Sequence, residues 1–337
     1  MPRMTGIANA DKGHKIDGRR LRRGRRGRYA RRRIQGEDLL ERHVVLLMAV
    51  MEHLGIPEYR CARSNRVYSY RQKIVLLVLR QRLRLSYRQF VEDLPSYRGV
   101  CDALGLGSRP HPTTLIRFAR AVDASDLERV VRAFRCFCRE DRVLAVDCTG
   151  FSNFLRSAHF VERCREFGIG KEPRSFTKGS FVVDTDSRLI VSARFSAVRM
   201  HDTRFVPMHV EDLEGMSIGH VLMDRGYDSE PLHRRIPTML GCTTVAPCRL
   251  SRGSRGCGTH GIVRNQMKRA FEEGGALKEL YGRRTQAETA NFMVKTHCGS
   301  QILSRLGETR AVEGLCKAIA HDCKIVTEKG MVWNPSA

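Results

Sequence analysis

The segment YGRRTQAETANFMVK sets Tyr281, Arg284, Glu288 and Lys295 at steps of three, four and seven. On a helix each residue advances about 100°, so all four fall within a wedge of roughly 60°. Ala287, Ala290, Met293 and Val294 fall well away from it, and Phe292 sits at its edge. Such a helix would bury a small or apolar face and aim one carboxylate, flanked by two cations, in a single direction. Two aspartates elsewhere match it. Asp147, in RVLAVDCTGF, and Asp224, in HVLMDRGYDS, each follow three apolar residues and precede loop-like sequence, as residues at strand ends do. Three carboxylates converging from three separate elements repel one another unless they are protonated or bound to cations. Oxygen-only ligands select hard ions such as Mg²⁺ or Mn²⁺. A pair of such ions, about 3.5–4 Å apart, can activate a water or hydroxyl and stabilise the leaving oxygen of a phosphodiester. Taken singly, each aspartate also reads as a turn or cap residue, and the charged helix as a solvated face.

The elements that must position these residues fall into three regions. Residues 1–36 form a basic arm read as disordered, in which Arg19, Arg20, Arg22, Arg23, Arg25, Arg26, Arg28, Arg31, Arg32 and Arg33 crowd a stretch broken by Gly24 and Gly27. Residues 37–140 read as helical. DLLERHVVLLMAVMEHLG stops at Gly55, Ser86 with Gln89 and Ser125 with Glu128 have capping-box spacing, and the arginine-bearing faces suit a helical DNA-binding region. A plain helical bundle reads equally well. Residues 141–330 change grammar: a short strand Leu144 to Val146 ending at Asp147, a hairpin around DTDS, a helix opened by His201 and Asp202, a strand ending at Asp224, a helix capped by Ser229, a strand in CTTVAP, a basic irregular stretch over 248–275, the signature helix and a last helix near 308–328. That order predicts an α/β domain on a mixed sheet flanked by helices, preceded by an all-α region.

The chain has 337 residues and a formal charge of +24. The arm carries +11 of this, which leaves +13 on the body. An excess spread over the whole chain favours a polyanionic partner, most simply nucleic acid. A ribosome-associated or membrane-surface protein would also fit the charge. Twelve cysteines are dilute at this length, no apolar leader is evident, and no run reaches membrane-spanning length. The cysteines therefore read as reduced and intracellular. Cys242, Cys248, Cys257 and His260 lack the close pair that zinc sites usually show, so they leave zinc open but disfavoured.

With the blocks VDCTGF and LMDRGYDS joined to the Tyr-Arg-Glu-Lys signature, the sequence resembles an insertion-sequence transposase of the DDE type, in the RNase H-like superfamily that includes retroviral integrases. The spacings, 77 residues from Asp147 to Asp224 and 64 from there to Glu288, suit that family. The resemblance is close over residues 140–300 and looser before them. It implies an RNase H-like sheet, with Asp147, Asp224 and Glu288 as catalytic carboxylates holding Mg²⁺ or Mn²⁺, two ions in all. Arg284 and Lys295 would contact DNA phosphates, and Tyr281 would stack or hydrogen-bond beside the cleavage site. The implied reaction binds terminal inverted repeats of double-stranded DNA, exposes 3′-hydroxyls at the element ends and joins them to target DNA by transesterification. A homodimer in the DNA complex, and a prokaryotic cytoplasm with association to the nucleoid, follow from the same resemblance. Family members often carry an asparagine in the last helix where this chain has AHDCK, a position that is not a metal ligand. Two other readings stay open: an inactive or domesticated DNA-binding protein of the same fold, and an RNase H-fold nuclease without strand transfer.

Overall fold

The computed structural model describes residues 39–60, 65–153, 162–163, 166–168, 176–248 and 261–333. The arginine arm, with Arg19 to Arg33, lies outside the described residues, as do Cys257 and His260.

The first region is helical, as its sequence predicts. Helix α1 covers residues 39–53, followed by α2 (Tyr70–Leu83), α3 (Tyr87–Asp93), α4 (Arg98–Leu104), α5 (Pro112–Ala121) and α6 (Ala124–Ala133). Helix α2 is buried without interruption from Ile74 to Gln81, because other elements surround it. Its N-terminus carries a complete capping box, Ser69 with Gln72, which the sequence reading passed over. At α3 only half of the expected box forms: Ser86 accepts from the Gln89 amide. At α6 the expected Ser125–Glu128 box is replaced by Asp123, whose carboxylate accepts from the Ser125 N–H and hydroxyl. An ionised carboxylate at that position is the stronger acceptor for those donors.

The second region is a six-stranded mixed sheet. Its strands are β1 (Arg142–Asn153), β2 (Phe176–Asp184), β3 (Ile190–Ser196), β4 (Ile218–Met223), β5 (Thr243–Val245) and β6 (Gln301–Ile302). The order is β3-β2-β1-β4-β5, with β6 paired to the end of β1. The β1–β2 and β2–β3 pairs are antiparallel, and the β1–β4, β4–β5 and β1–β6 pairs are parallel. The described helices of this region are α7 (Val206–Leu213), α8 (Glu230–Leu240), α9 (Ile262–Glu273), α10 (Ala276–Gly282), α11 (Thr285–Cys298) and α12 (Gly307–Glu328). This is the RNase H-like mixed sheet with flanking helices, preceded by a helical region, that the sequence implied.

Strand residues alternate between two faces. Val143 and Ala145 of β1, with Leu222 of β4 and Val245 of β5, join one apolar cluster together with Ala287, Ala290 and Val294 of α11 and the buried side of α12. Leu144, Val146, Val221 and Met223 join the other, with Val206 and Val210 of α7 and Leu232 and Ile236 of α8. The first cluster continues without a break into α1, α2, α5 and α6, so the helical region and the sheet share one core. Gly314 of α12 allows a close approach to the sheet, since a Cβ there would run into the Phe195 ring.

Three further expectations change. The strand read as Leu144 to Val146 runs on to Asn153, because β2 pairs with β1 as far as Ser152. The stretch read as irregular over 248–275 contains α9, whose backbone amides at Val263 and Arg264 are capped by Glu230 from α8. The signature helix is not continuous: α10 ends at Gly282, and α11 starts after Arg284 through short turns in which the Arg284 amide bonds Tyr281 and the Ala287 amide bonds Arg284.

Candidate active site

Register brings the two aspartates to neighbouring positions on the sheet. Val146 of β1 stands opposite Met223 of β4, and the parallel pairing ends there. Asp147 and Asp224 are the next residues on the two strands. Neighbouring strands lie about 4.8 Å apart, so the two residues leave adjacent points of the sheet. Asp147 is inside the strand rather than at its end, which corrects the sequence reading, but it is the residue where β1 loses its β4 partner. Two-residue alternation puts Asp147 on the face of Val143 and Ala145, and Asp224 on the face of Leu222, the face that α11 covers.

Helix α11 carries the third carboxylate to that face. Its Ala287, Ala290 and Val294 are fully buried, as the periodicity predicts, while Phe292 is exposed. Arg284 Nη2 donates to Glu288 Oε1 at 2.5 Å, and the guanidinium lies 5.8 Å from the centre of the Tyr281 ring. The Tyr281–Arg284–Glu288 face therefore survives the break between α10 and α11. Lys295 lies farther along, with its ammonium 5.6 Å from the Phe151 ring centre.

Asn291 adds a contact that sequence reasoning missed. It is buried, and its Nδ2 donates to Asp147 Oδ2 at 2.7 Å. Its own Oδ1 is buried with no partner. The residue carries no charge, so a search for titratable side chains passes over it. Its position three residues after Glu288, about 60° around the helix, was the available signal.

Electrostatics couple these groups to one another. Burial pushes the Asp147 carboxyl above the usual carboxylate range; Arg284, the Cys148 N–H and Asn291 pull it back, and Glu288 pushes it further up. Burial lowers the Lys295 ammonium, and Asp147 works against that shift. Burial raises the Tyr281 phenol, Arg284 opposes the rise, and Asp224 adds to it. For Arg284, burial alone would lower the pKa, but Glu288, Tyr281 and Asp147 together raise it.

The surroundings hold these residues from behind. Asp224 Oδ1 accepts from the Gly226 amide at 2.7 Å, starting the turn that leads to Asp228. The Asp228 carboxylate, fully buried, takes Arg264 of α9 on two nitrogens at 2.7–3.1 Å and His233 at 3.3 Å. Helix α9 then packs Phe271 edge-on against Tyr281, ring centres 5.3 Å apart. One chain of contacts thus links the loop after Asp224 to the tyrosine of the signature. On the opposite sheet face, Cys148 meets the Tyr227 hydroxyl at 3.2 Å, and Lys178 pairs with Asp202. His201 caps its own turn through the Thr203 amide, as expected for a pair that opens a helix.

The donor set suits a hard divalent cation in its chemistry: three carboxylates, no sulfur, and a half-buried Asp147 whose charge is poorly solvated. Among the described residues, no three His, Cys, Asp or Glu side chains gather closely enough to hold a metal ion. Each carboxylate is instead held by a neighbour: Asp147 by Asn291, Asp224 by Gly226, and Glu288 by Arg284. Among the same residues, no helix is long and apolar enough to cross a membrane.

A family model described as the transposase DDE domain matches residues 139–321. No curated protein matches the chain. Among solved structures, the chain is similar to a piggyBac transposase in a synaptic complex with hairpin DNA. The identity is 10%, the match covers 86% of this chain and 74% of that one, and the TM-score is 0.39. It is also similar to a chain of a simian T-cell lymphotropic virus intasome in complex with the PP2A regulatory subunit B56 gamma. There the identity is 15%, the coverage is 59% of this chain and 62% of that one, and the TM-score is 0.23.

Proposed function

Because the chain belongs to the transposase DDE domain family, we propose that it is a DNA transposase that binds the terminal inverted repeats of its element, cleaves the ends and joins them to target DNA. The observation that carries this reading is the register of the sheet. Asp147 and Asp224 follow directly on the last β1–β4 pair, and Glu288 of α11 is near enough to act electrostatically on Asp147, which supports a shared site. In this reading Asp147, Asp224 and Glu288 would hold Mg²⁺ or Mn²⁺. When bound, the ions supply activation of a water or 3′-hydroxyl and stabilisation of the leaving oxygen.

The chain's own side chains do the rest. Arg284 offers a planar fork that fits two phosphate oxygens, and its neighbours keep it charged. Lys295 adds a point charge near Asp147. Tyr281, braced by Phe271, supplies a flat surface against which a base or sugar at the cleavage site can pack. Asn291 holds the Asp147 carboxylate in one rotation through its hydrogen bond to Oδ2. The arginine arm and the helical region would hold double-stranded DNA largely through phosphates, which set position and orientation rather than sequence. A homodimer in the DNA complex and a place in the prokaryotic nucleoid belong to the same proposal.

The test is an excision assay in cells. A marked element bounded by the DNA that flanks the gene is supplied with the wild-type chain or with Asp147→Asn, Asp224→Asn or Glu288→Gln. The proposal expects excision and reinsertion with the wild type and neither event with any of the three variants. Excision at the parental rate by all three variants would refute it, and cutting without joining would favour the nuclease reading.

A further inference from the structure

A second cluster of cations borders the active site, and the transposase reading uses only one of them, Lys295. A cavity of about 310 Å³ opens between the end of α2, the end of α11 and the middle of α12, and Lys295 lines it. Arg80 and Arg84 reach it from α2, and Lys317 from α12. The one acidic residue in its wall, Glu313, is already committed: its two oxygens accept from the Leu303 and Ser304 amides and the Ser304 hydroxyl at 2.7–3.1 Å. Four cations therefore face one satisfied carboxylate.

The cations are built in rather than scattered. Arg80 is only 4% exposed. It lies 4.0 Å over the Tyr87 ring, gives Nη1 to the Leu85 carbonyl at 3.1 Å and leaves Nε without a partner. Lys317, 3% exposed, donates to the Cys298 carbonyl at the end of α11. Arg84 stands at the C-cap of α2 with φ 58° and donates to the His297 carbonyl at 3.3 Å. Gly299 turns the chain at the cavity wall with φ 86°, where a Cβ would lie 3.7 Å from the Lys317 ammonium. Holding this much positive charge together in a confined space is unfavourable without an anion. Guanidinium forks match phosphate oxygens, and a single phosphate, unlike a duplex, fits a cavity of this size.

The geometry points to a phosphate-binding pocket formed by Arg80, Arg84, Lys295 and Lys317, which takes one phosphodiester of a DNA strand next to the catalytic carboxylates. The assignment of DNA rests on the transposase reading. Lys295 is shared between the pocket and the active site, so a strand held here is placed directly beside Asp147. The helical region then contributes to positioning the strand through α2, not only to binding elsewhere on the DNA.

The test uses the full chain without divalent metal and a fluorescein-labelled single strand, dT12. Hydrogen exchange is followed over residues 299–303, and dT12 affinity is measured across a salt series, for the wild type, Arg84→Asn, Arg84→Lys and, as a distant control, Arg235→Gln. Asparagine tolerates the left-handed backbone at position 84, and a thermal melt of each variant checks the fold. The pocket predicts that dT12 slows exchange over 299–303 in the wild type. Arg84→Asn should lose that protection and flatten the slope of log affinity on log salt by about 0.7, the value of one single-strand phosphate. Arg84→Lys and Arg235→Gln should keep both. No protection with dT12, wild-type behaviour in Arg84→Asn, or protection by 10-fold excess inorganic phosphate but not by dT12 would each overturn it. None of these readouts involves cleavage. A chain that cleaves DNA without this protection loses the pocket alone, and one that is protected but never cleaves loses the transposase reading alone.

Discussion

Replacing Asn291 by leucine removes a single hydrogen bond behind the candidate active site and little else. Asn291 is 6% exposed and donates to Asp147 at 2.7 Å, while its own Oδ1 has no partner. A hydrogen bond to a charged group contributes about 1.5–3 kcal/mol. At about 1.4 kcal/mol per factor of ten, losing it from the cleavage transition state slows the reaction roughly 10- to 100-fold. Global stability should change far less. Leucine is of comparable size to asparagine, and the substitution also removes the buried carbonyl oxygen that now goes unbonded. Single-turnover cleavage of end-containing DNA, with urea unfolding of the same samples, separates the two effects. Asn291→Asp should be worse than Asn291→Leu, because it sets a second carboxylate against Asp147. Wild-type cleavage by Asn291→Leu would show that Asp147 needs no such support, and a rate loss matched by a large loss of stability would show that Asn291 is only a packing residue.

Further outcomes follow from other parts of the chain. Burial holds the His43 imidazole down at about 3, from an ordinary value of 6.5, so His43 is neutral in the fold and charges on unfolding. Its contribution is therefore present above about pH 6.5 and is lost as the pH falls toward 3, with a slope of up to about 1.4 kcal/mol per pH unit for one proton; His43→Gln, which keeps a donor for Thr327, should flatten the acid limb of a urea-midpoint series by that one-proton slope. Deleting residues 1–36 should reduce the salt dependence of duplex binding by about 0.9 for each phosphate the arm neutralises, with specific-over-random preference changed less; an unchanged slope in fluorescence anisotropy would mean that the arm neutralises no phosphates. Arg284→Lys should lower strand transfer by roughly tenfold or more while DNA affinity stays within about a factor of three, since lysine cannot reproduce the bidentate fork and many other cations remain for binding. Gel-shift and strand-transfer assays on one preparation would expose the opposite pattern.

Particular residues show what the sequence made legible. The three apolar residues before Asp147 and before Asp224 marked two buried strands, which the structure keeps; the step pattern of Tyr281, Arg284 and Glu288 marked one face, which the structure keeps across two helices rather than on one. The far half of β1 was missed because Cys148 to Asn153 reads as loop, and its strand character comes from β2, a distant partner. Helix α9 was missed for a similar reason: it has a glycine at its N-cap and takes its capping acceptor, Glu230, from α8, so no cap signature appears in its own sequence. The break between α10 and α11 leaves helical periodicity almost intact, so angular spacing does not reveal it. Asn291 and the pocket around Arg80 and Lys317 depend on groups brought together from distant parts of the chain, which no local pattern carries.

The most direct test of the account is metal-dependent nicking of DNA carrying the element ends by the purified full chain. The account predicts nicks at the ends with Mg²⁺ or Mn²⁺, none in excess EDTA, and none from Asp147→Asn, Asp224→Asn or Glu288→Gln, each of which still binds the same DNA. Nicking in EDTA at the rate seen with Mg²⁺, or by those three variants at the wild-type rate, would contradict it.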